Sequence, residues 1–146
     1  MSGYVGNFKV KVERKPRYVL EDRCTGCGLC SEVCPISVPN FEFEEGLGPR
    51  KAIYTLSPQA VPNKPVIDRE HCLYLQRERC GLCEKVCPVG AIDYGQEDSL
   101  VEEHVGAVLL APGYAVYGLE NLPEYGGGRV PDVIDALTFE RLLSSS

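Results

Sequence analysis

The hydrophobic pattern changes character three times along the chain. Residues 7–13 (NFKVKVE) alternate apolar with charged side chains, which predicts a half-buried strand. Arg14-Lys15-Pro16 reads as the turn of an N-terminal β-hairpin, with Tyr18 to Leu20 as the returning strand. Leu29 to Val33 and Leu82 to Val86 each have apolar spacing for one or two helical turns, and Ala91 to Tyr94 (AIDY) reads as a short strand. Residues 36–71 are broken by Pro39, Gly46, Gly48, Pro49, Pro58, Pro62 and Pro65, so an irregular excursion is expected, with one short strand near Ala52 to Thr55. Beyond residue 96, Val105 to Ala111 (VGAVLLA) is a near-continuous apolar run, which suits a buried parallel strand. Pro131 to Leu143 places apolar residues at 133, 134, 137, 139 and 142, which predicts a helix with Pro131 in its first turn.

These elements predict an α+β chain in three parts: a hairpin extension over 1–20, a central domain over 21–96 and a strand–loop–helix appendage over 97–146. The appendage is too small to fold by itself, so it must pack on the centre, pair with another chain, or stay loose.

Composition narrows the function. A length of 146 residues suits one domain with appendages, and 44% hydrophobic with 25% charged residues is an ordinary globular balance. The net charge of −6 argues against nucleic acid as the main partner. No apolar run nears the roughly 18 residues of a membrane span. MSGYVGNFKV lacks a basic segment followed by an apolar stretch, so a cytoplasmic protein without a secretory signal is expected.

The unusual feature is eight cysteines in two sets. Cys24, Cys27, Cys30 and Cys34 form C-x2-C-x2-C-x3-C followed by Pro35. Cys72, Cys80, Cys83 and Cys87 form C-x7-C-x2-C-x3-C followed by Pro88. A disulfide framework needs an oxidising compartment and a bridging geometry that such close cysteines rarely reach. Structural zinc prefers two short knuckles, often with His. A thioredoxin-like dithiol expects one C-x-x-C. The pattern instead matches the bacterial ferredoxin run that binds two [4Fe–4S] clusters.

Thiolates at i, i+3 and i+6 of one tight loop reach three corners of a cubane, and the fourth cysteine, beyond a turn, reaches the other cubane. The spacing therefore predicts crossed ligation. Cluster 1 takes Cys24, Cys27, Cys30 and Cys87; cluster 2 takes Cys72, Cys80, Cys83 and Cys34. Gly26, Gly28 and Gly81 lie in the loops, where backbone must come close to sulfide and can donate N–H groups to it. The seven-residue spacer Leu73 to Arg79 predicts a loop bulging over cluster 2, as a shield, a docking surface or a plain insertion.

Other chemistry is sparse. Gly46-Leu47-Gly48 lacks the third glycine of a dinucleotide fingerprint, and there is no P-loop or nucleophilic triad, so no catalytic residue is assigned. His71 adjoins Cys72 but reads, like His104, as a surface histidine. The basic residues Lys9, Lys11, Arg14, Lys15 and Arg17, and the pair Arg50-Lys51, read first as solvated charge and second as docking sites for an acidic partner.

The segments GNFKVKVERKPRYV, CTGCGLCSEVCPISVPN, EEGLGPRKAIY, PQAVPNKPVID, HCLYLQRERCGLCEKVCPVGAIDY and VGAVLLAPGY resemble the A subunit of heterodisulfide reductase over residues 3 to about 143, including the seven-residue spacer. The resemblance implies a two-cluster ferredoxin module inserted into a thioredoxin-reductase-like, FAD-binding polypeptide that bifurcates electrons. Its clusters relay electrons between the flavoprotein, other heterodisulfide reductase subunits, and a hydrogenase or formate dehydrogenase partner. VLLAPGY resembles the family's strand end near FAD, with Pro112 where Thr is usual, which removes a hydroxyl there. The family's FAD fingerprint lies outside the insert and is not in these residues. The expectation is thus an electron relay that does not hold FAD by itself, whether a fragment of a longer gene, one part of a split flavoprotein or a reduced relative. A free-standing low-potential ferredoxin is the alternative, and a metal-stapled module without redox work is a third reading. With two oxidised clusters bound, the chain would carry roughly −10, which favours partners with basic faces.

Overall fold

The computed structural model describes residues 1–144. Its elements, in chain order, are β1 (Ser2–Tyr4), β2 (Asn7–Arg14), α1 (Leu29–Glu32), β3 (Ser37–Pro39), α2 (Phe41–Glu44), β4 (Pro49–Lys51), β5 (Ile53–Tyr54), β6 (Val66–Ile67), α3 (Leu73–Arg77), α4 (Leu82–Val86), β7 (Ser99–Val105) and α5 (Ala136–Leu143). Two 3-10 turns, Leu119–Asn121 and Pro123–Tyr125, precede α5.

The alternating segment at 7–13 is a strand, but its hairpin partner differs from the expected one. β2 turns back on β1 through Val5 and Gly6 and pairs along its whole length with β7, from Phe8↔Val105 to Arg14↔Ser99. The resulting sheet has the order β1-β2-β7. SLVEEHV does not alternate as β2 does, but its register places Val12 opposite Val101 and Lys11 opposite Glu102. Tyr18 to Leu20 forms no hairpin strand: Tyr18 takes a left-handed backbone (φ 58), and Val19 makes a single antiparallel bridge with Ile92.

That bridge ties the two cysteine motifs together. Leu20 N–H donates to Ala91 O at 2.7 Å, and Asp93 N–H donates to Tyr18 O at 3.0 Å. Tyr18, Val19 and Ala91 are buried together with Cys30, Ala52, Ile53, Ile67 and Cys72 in one small core. Two of these core members are thiols, so the cysteine loops wrap the centre of the fold.

The excursion is more ordered than its prolines suggest. β3 and β4 form a ladder around α2, whose start is capped by Asn40 accepting from Phe43 N–H. β5 pairs with β6, Ile53 opposite Ile67, and presses two buried isoleucines against the motifs. Arg50 is not a docking cation. Its side chain is 13% exposed, contacts Asp68 at 2.8 Å and lies over the Tyr54 ring at 4.0 Å. The N-terminal basic residues are also largely engaged: Lys15 with Asp98 and Glu13, Arg14 and Arg17 with Glu21.

VGAVLLA is not a buried parallel strand. β7 ends at Val105, and the following residues run without a ladder, with Leu109 93% and Leu110 84% exposed. A parallel strand needs layers over both its faces, and β2 is already paired with Ser99–Val105 upstream. The terminal helix begins at Ala136, five residues later than Pro131, where Asp135 accepts from Thr138 N–H at 2.8 Å. α5 packs on the excursion, with Arg141 against Glu44 at 3.2 Å and over the Phe43 ring at 4.1 Å.

Candidate metal centre

Each motif is built the same way. In the first, Cys24 N–H closes a turn onto Leu20 O, Gly26 and Gly28 hold φ 73 and 85, and α1 starts at once, with Ser31 N–H on Gly28 O. In the second, Gly81 holds φ 80 and launches α4, with Lys85 N–H on Gly81 O. Left-handed turns between successive cysteines curl the backbone so that consecutive thiols point into one hollow. Gly26 is constrained twice, since a Cβ there would sit 2.8 Å from Asn63 O; Gly28 has open space around it.

Two hollows result. One is lined by Cys24, Cys27, Cys30 and Cys87, with Gly26, Gly28 and Pro65 among its walls. The other is lined by Cys72, Cys80, Cys83 and Cys34, with Gly81, Tyr74 and Tyr94. They enclose about 350 and 360 Å3 of space between atoms, partly open to solvent. Each hollow thus gathers three cysteines of one motif and the last cysteine of the other. All eight cysteines are free thiols.

The sulfurs meet donors. Gly26 N–H points at Cys24 Sγ at 3.4 Å, Ala91 N–H at Cys87 Sγ at 3.2 Å, and the Tyr94 hydroxyl lies 3.0 Å from Cys83 Sγ. Burial and the neighbouring Cys83 sulfur raise the Tyr94 phenol far above its usual range, so it keeps its proton and can donate to that sulfur once the sulfur is a thiolate. Burial pushes the Cys30 thiol up to about 11 and raises Cys83 as well. A ligand that takes these sulfurs as thiolates must displace those protons. Among the described residues, no three His, Cys, Asp or Glu side chains are grouped to hold a single metal ion. A cubane takes each thiolate on a separate iron, so four sulfurs around a hollow suit it where convergence on one point would suit zinc.

The spacer between Cys72 and Cys80 is a helix, not a bulging loop. α3 (Leu73–Arg77) has Cys72 at its N-cap and Glu78 (φ 53) at its C-cap, and its Tyr74 stacks on Tyr94 with ring centroids 3.8 Å apart. The sequence reading missed Tyr74, Tyr94, Pro65 and Lys64. Lys64, whose ammonium donates to Cys24 O, arrives from the far end of the excursion, and no local pattern announced it. For Tyr94 a signal existed, in its fixed distance beyond the last cysteine of the second motif.

Comparison with known proteins agrees with this site. The family model for a 4Fe-4S dicluster domain matches residues 23–91, and the chain is a 4Fe–4S dicluster protein that carries two [4Fe–4S] clusters. Over its whole length it is homologous to a segment of the A subunit of CoB–CoM heterodisulfide reductase. It is 57% identical over 146 residues to the second iron-sulfur A subunit of CoB–CoM heterodisulfide reductase in Methanopyrus kandleri, covering all of this chain and 21% of that protein. It is 47% identical over 146 residues to the A subunit of the H(2):CoB-CoM heterodisulfide,ferredoxin reductase of Methanothermobacter thermautotrophicus, with the same coverage. Against the A subunit of the Ferredoxin:CoB-CoM heterodisulfide reductase of Methanosarcina mazei it is 46% identical over 147 residues, covering all of this chain and 18% of the relative. The chain therefore spans about a fifth of the length of these curated relatives. Among the described residues no helix is long and apolar enough to cross a membrane.

Proposed function

We propose that the chain relays electrons through two [4Fe–4S] clusters within a heterodisulfide-reductase-like oxidoreductase complex in the cytoplasm, beside flavoprotein and hydrogenase- or formate-dehydrogenase-like subunits. Residues 21–96 form a bacterial-type two-cluster ferredoxin fold, with 1–20 as its N-terminal extension and 97–146 as an appendage. The single observation that carries this reading is the exchange of one cysteine between the two hollows. When bound, each cluster supplies a site that gains or loses one electron without a bond to substrate.

Cys24, Cys27, Cys30 and Cys87 hold cluster 1; Cys72, Cys80, Cys83 and Cys34 hold cluster 2. Gly26, Gly28 and Gly81 let the loops close and bring amides toward sulfur. Pro65, Val89 and Ile92 line the first hollow with apolar surface, and Ile36, Ile53 and Tyr74 do so in the second, which limits water at the sulfurs. Val19 and Ala91 hold the two motifs at a fixed separation, which electron hopping requires.

Iron counting of paired variants tests the crossing. The parent should bind about eight irons. Cys34→Ser with Cys80→Ser removes two ligands of the same proposed cluster and should leave about four irons. Cys30→Ser with Cys34→Ser, both from the first motif, should damage both clusters. If this second pair instead spares one whole cluster, ligation is not crossed.

A further inference from the structure

The two hollows open to solvent through different chemistry. Cys27 and Cys80 are the exposed members of their sets. Around Cys27 the loop residues Thr25, Gly26 and Gly28 and the exposed Leu29 and Val89 carry no charge, and the cations at this motif are Arg23, which precedes Cys24, and Lys64, which donates to Cys24 O. Around Cys80 the neighbours are cationic. Gln76 to Cys80 is a continuous exposed run that carries Arg77 and Arg79, and exposed Lys85 follows on α4, against Glu78 and Glu84. No ion pair among the described residues engages Arg77, Arg79 or Lys85, which in this resemble Arg23, Lys9 and Lys11 and differ from the paired Arg14, Lys15, Arg17, Arg50 and Arg141. The backbone of this rim is unusual too. Glu78 (φ 53) and Cys80 (φ 106) are left-handed without being glycine, in the stretch where the first motif has Gly26. Such strain persists where the surroundings enforce it, and it gathers at functional sites.

We propose that the rim of Cys80, with Arg77 and Arg79, is the docking port for a redox partner that presents an acidic face. The net charge of −6 would turn acidic partners away from the rest of the surface, so a local cationic rim sets both the place and the orientation of approach. The inference rests on Cys80 holding cluster 2, as proposed above.

The test uses the anaerobic, dithionite-reduced holo chain and two inert oxidants of opposite charge, cobalt(III)–EDTA (anionic) and hexaamminecobalt(III) (cationic). In each reaction one electron leaves the protein and Co(III) becomes Co(II). Stopped-flow bleaching recovery gives the rate. Arg77→Gln with Arg79→Gln should slow the anionic oxidant about fivefold at low ionic strength, speed the cationic one, and weaken the salt dependence of the anionic rate. Lys9→Gln with Lys11→Gln removes the same net charge from β2 and should change the anionic rate far less. If the arginine pair leaves that rate unchanged, or the lysine pair lowers it as much, the docking port is wrong although both clusters are present. If iron and EPR counts, taken first, show that Cys80→Ser keeps both clusters intact, the ligand reading fails and takes the port with it.

Discussion

Tyr94→Phe separates a tuning hydrogen bond from simple packing. The phenyl ring keeps the 3.8 Å stack on Tyr74, while the hydroxyl 3.0 Å from Cys83 Sγ is lost. A hydrogen bond to an ionised acceptor contributes about 1.5–3 kcal/mol. It is present in both redox states, and only its strengthening on reduction, when charge on sulfur grows, moves the potential. If a third of the bond is differential, the change is about 0.5–1 kcal/mol, or about 20–40 mV for a one-electron couple. The donor favours the reduced state, so its removal makes the potential of cluster 2 more negative. EPR-monitored potentiometric titration of the anaerobic holo chain measures both clusters at once. A positive shift, no shift, or an equal shift in both clusters would refute the argument.

Gly26→Ala should be harsher than Gly28→Ala. Both impose a left-handed alanine, costing about 1–2 kcal/mol, but only Gly26 also drives a Cβ to 2.8 Å from Asn63 O; the iron bound per chain after reconstitution should fall more for the first. Asp68→Asn should cost about 3 kcal/mol near neutrality, because Arg50 and Asp68 are nearly buried partners. Burial opposes ionisation of Asp68, yet hydrogen bonds from Arg50 and His71 outweigh it and hold the carboxyl below its usual range. Its contribution is therefore complete above the unfolded value of about 3.9 and lost as pH falls through the lower folded value; the gap between parent and variant midpoints in denaturant should close over that acid range. Asp135→Ala removes the cap of α5, costing about 1 kcal/mol, and should speed amide exchange at Thr138 and Phe139 while the EPR spectra stay unchanged.

The site was more legible than the frame around it. Cysteine spacing encodes ligand geometry locally, so Cys24, Cys27 and Cys30 can be grouped without knowing any other part of the fold. The fourth cysteines, Cys34 and Cys87, lie beyond the helical turns Leu29–Glu32 and Leu82–Val86, and each lines the hollow of the other motif. The partner of β2 was not legible. Ser99–Val105 does not alternate as residues 7–13 do, so no local pattern marked it as the partner, and its longer ladder prevailed over the short segment 18–20 although it lies far along the chain. VGAVLLA carried the apolar density of an interior strand, but density reports what a segment would bury and says nothing about what is present to bury it against. The spacer was misread because LYLQR is short, and only the stacking of Tyr74 on Tyr94 reveals why a helix is useful there.

The exchange of Cys34 and Cys87 between hollows also bears on how the protein is made. The N-terminal motif emerges from the ribosome dozens of residues before its fourth wall exists, and the later motif depends on a thiol translated long before it. The first chamber waits for Cys87, whereas the second, whose Cys34 is made first, has all its thiols once Cys83 is translated. With the crossed ligation proposed above, both clusters can be completed only in a chain extended past Cys87, when all eight reduced thiols are in place and open to oxygen damage.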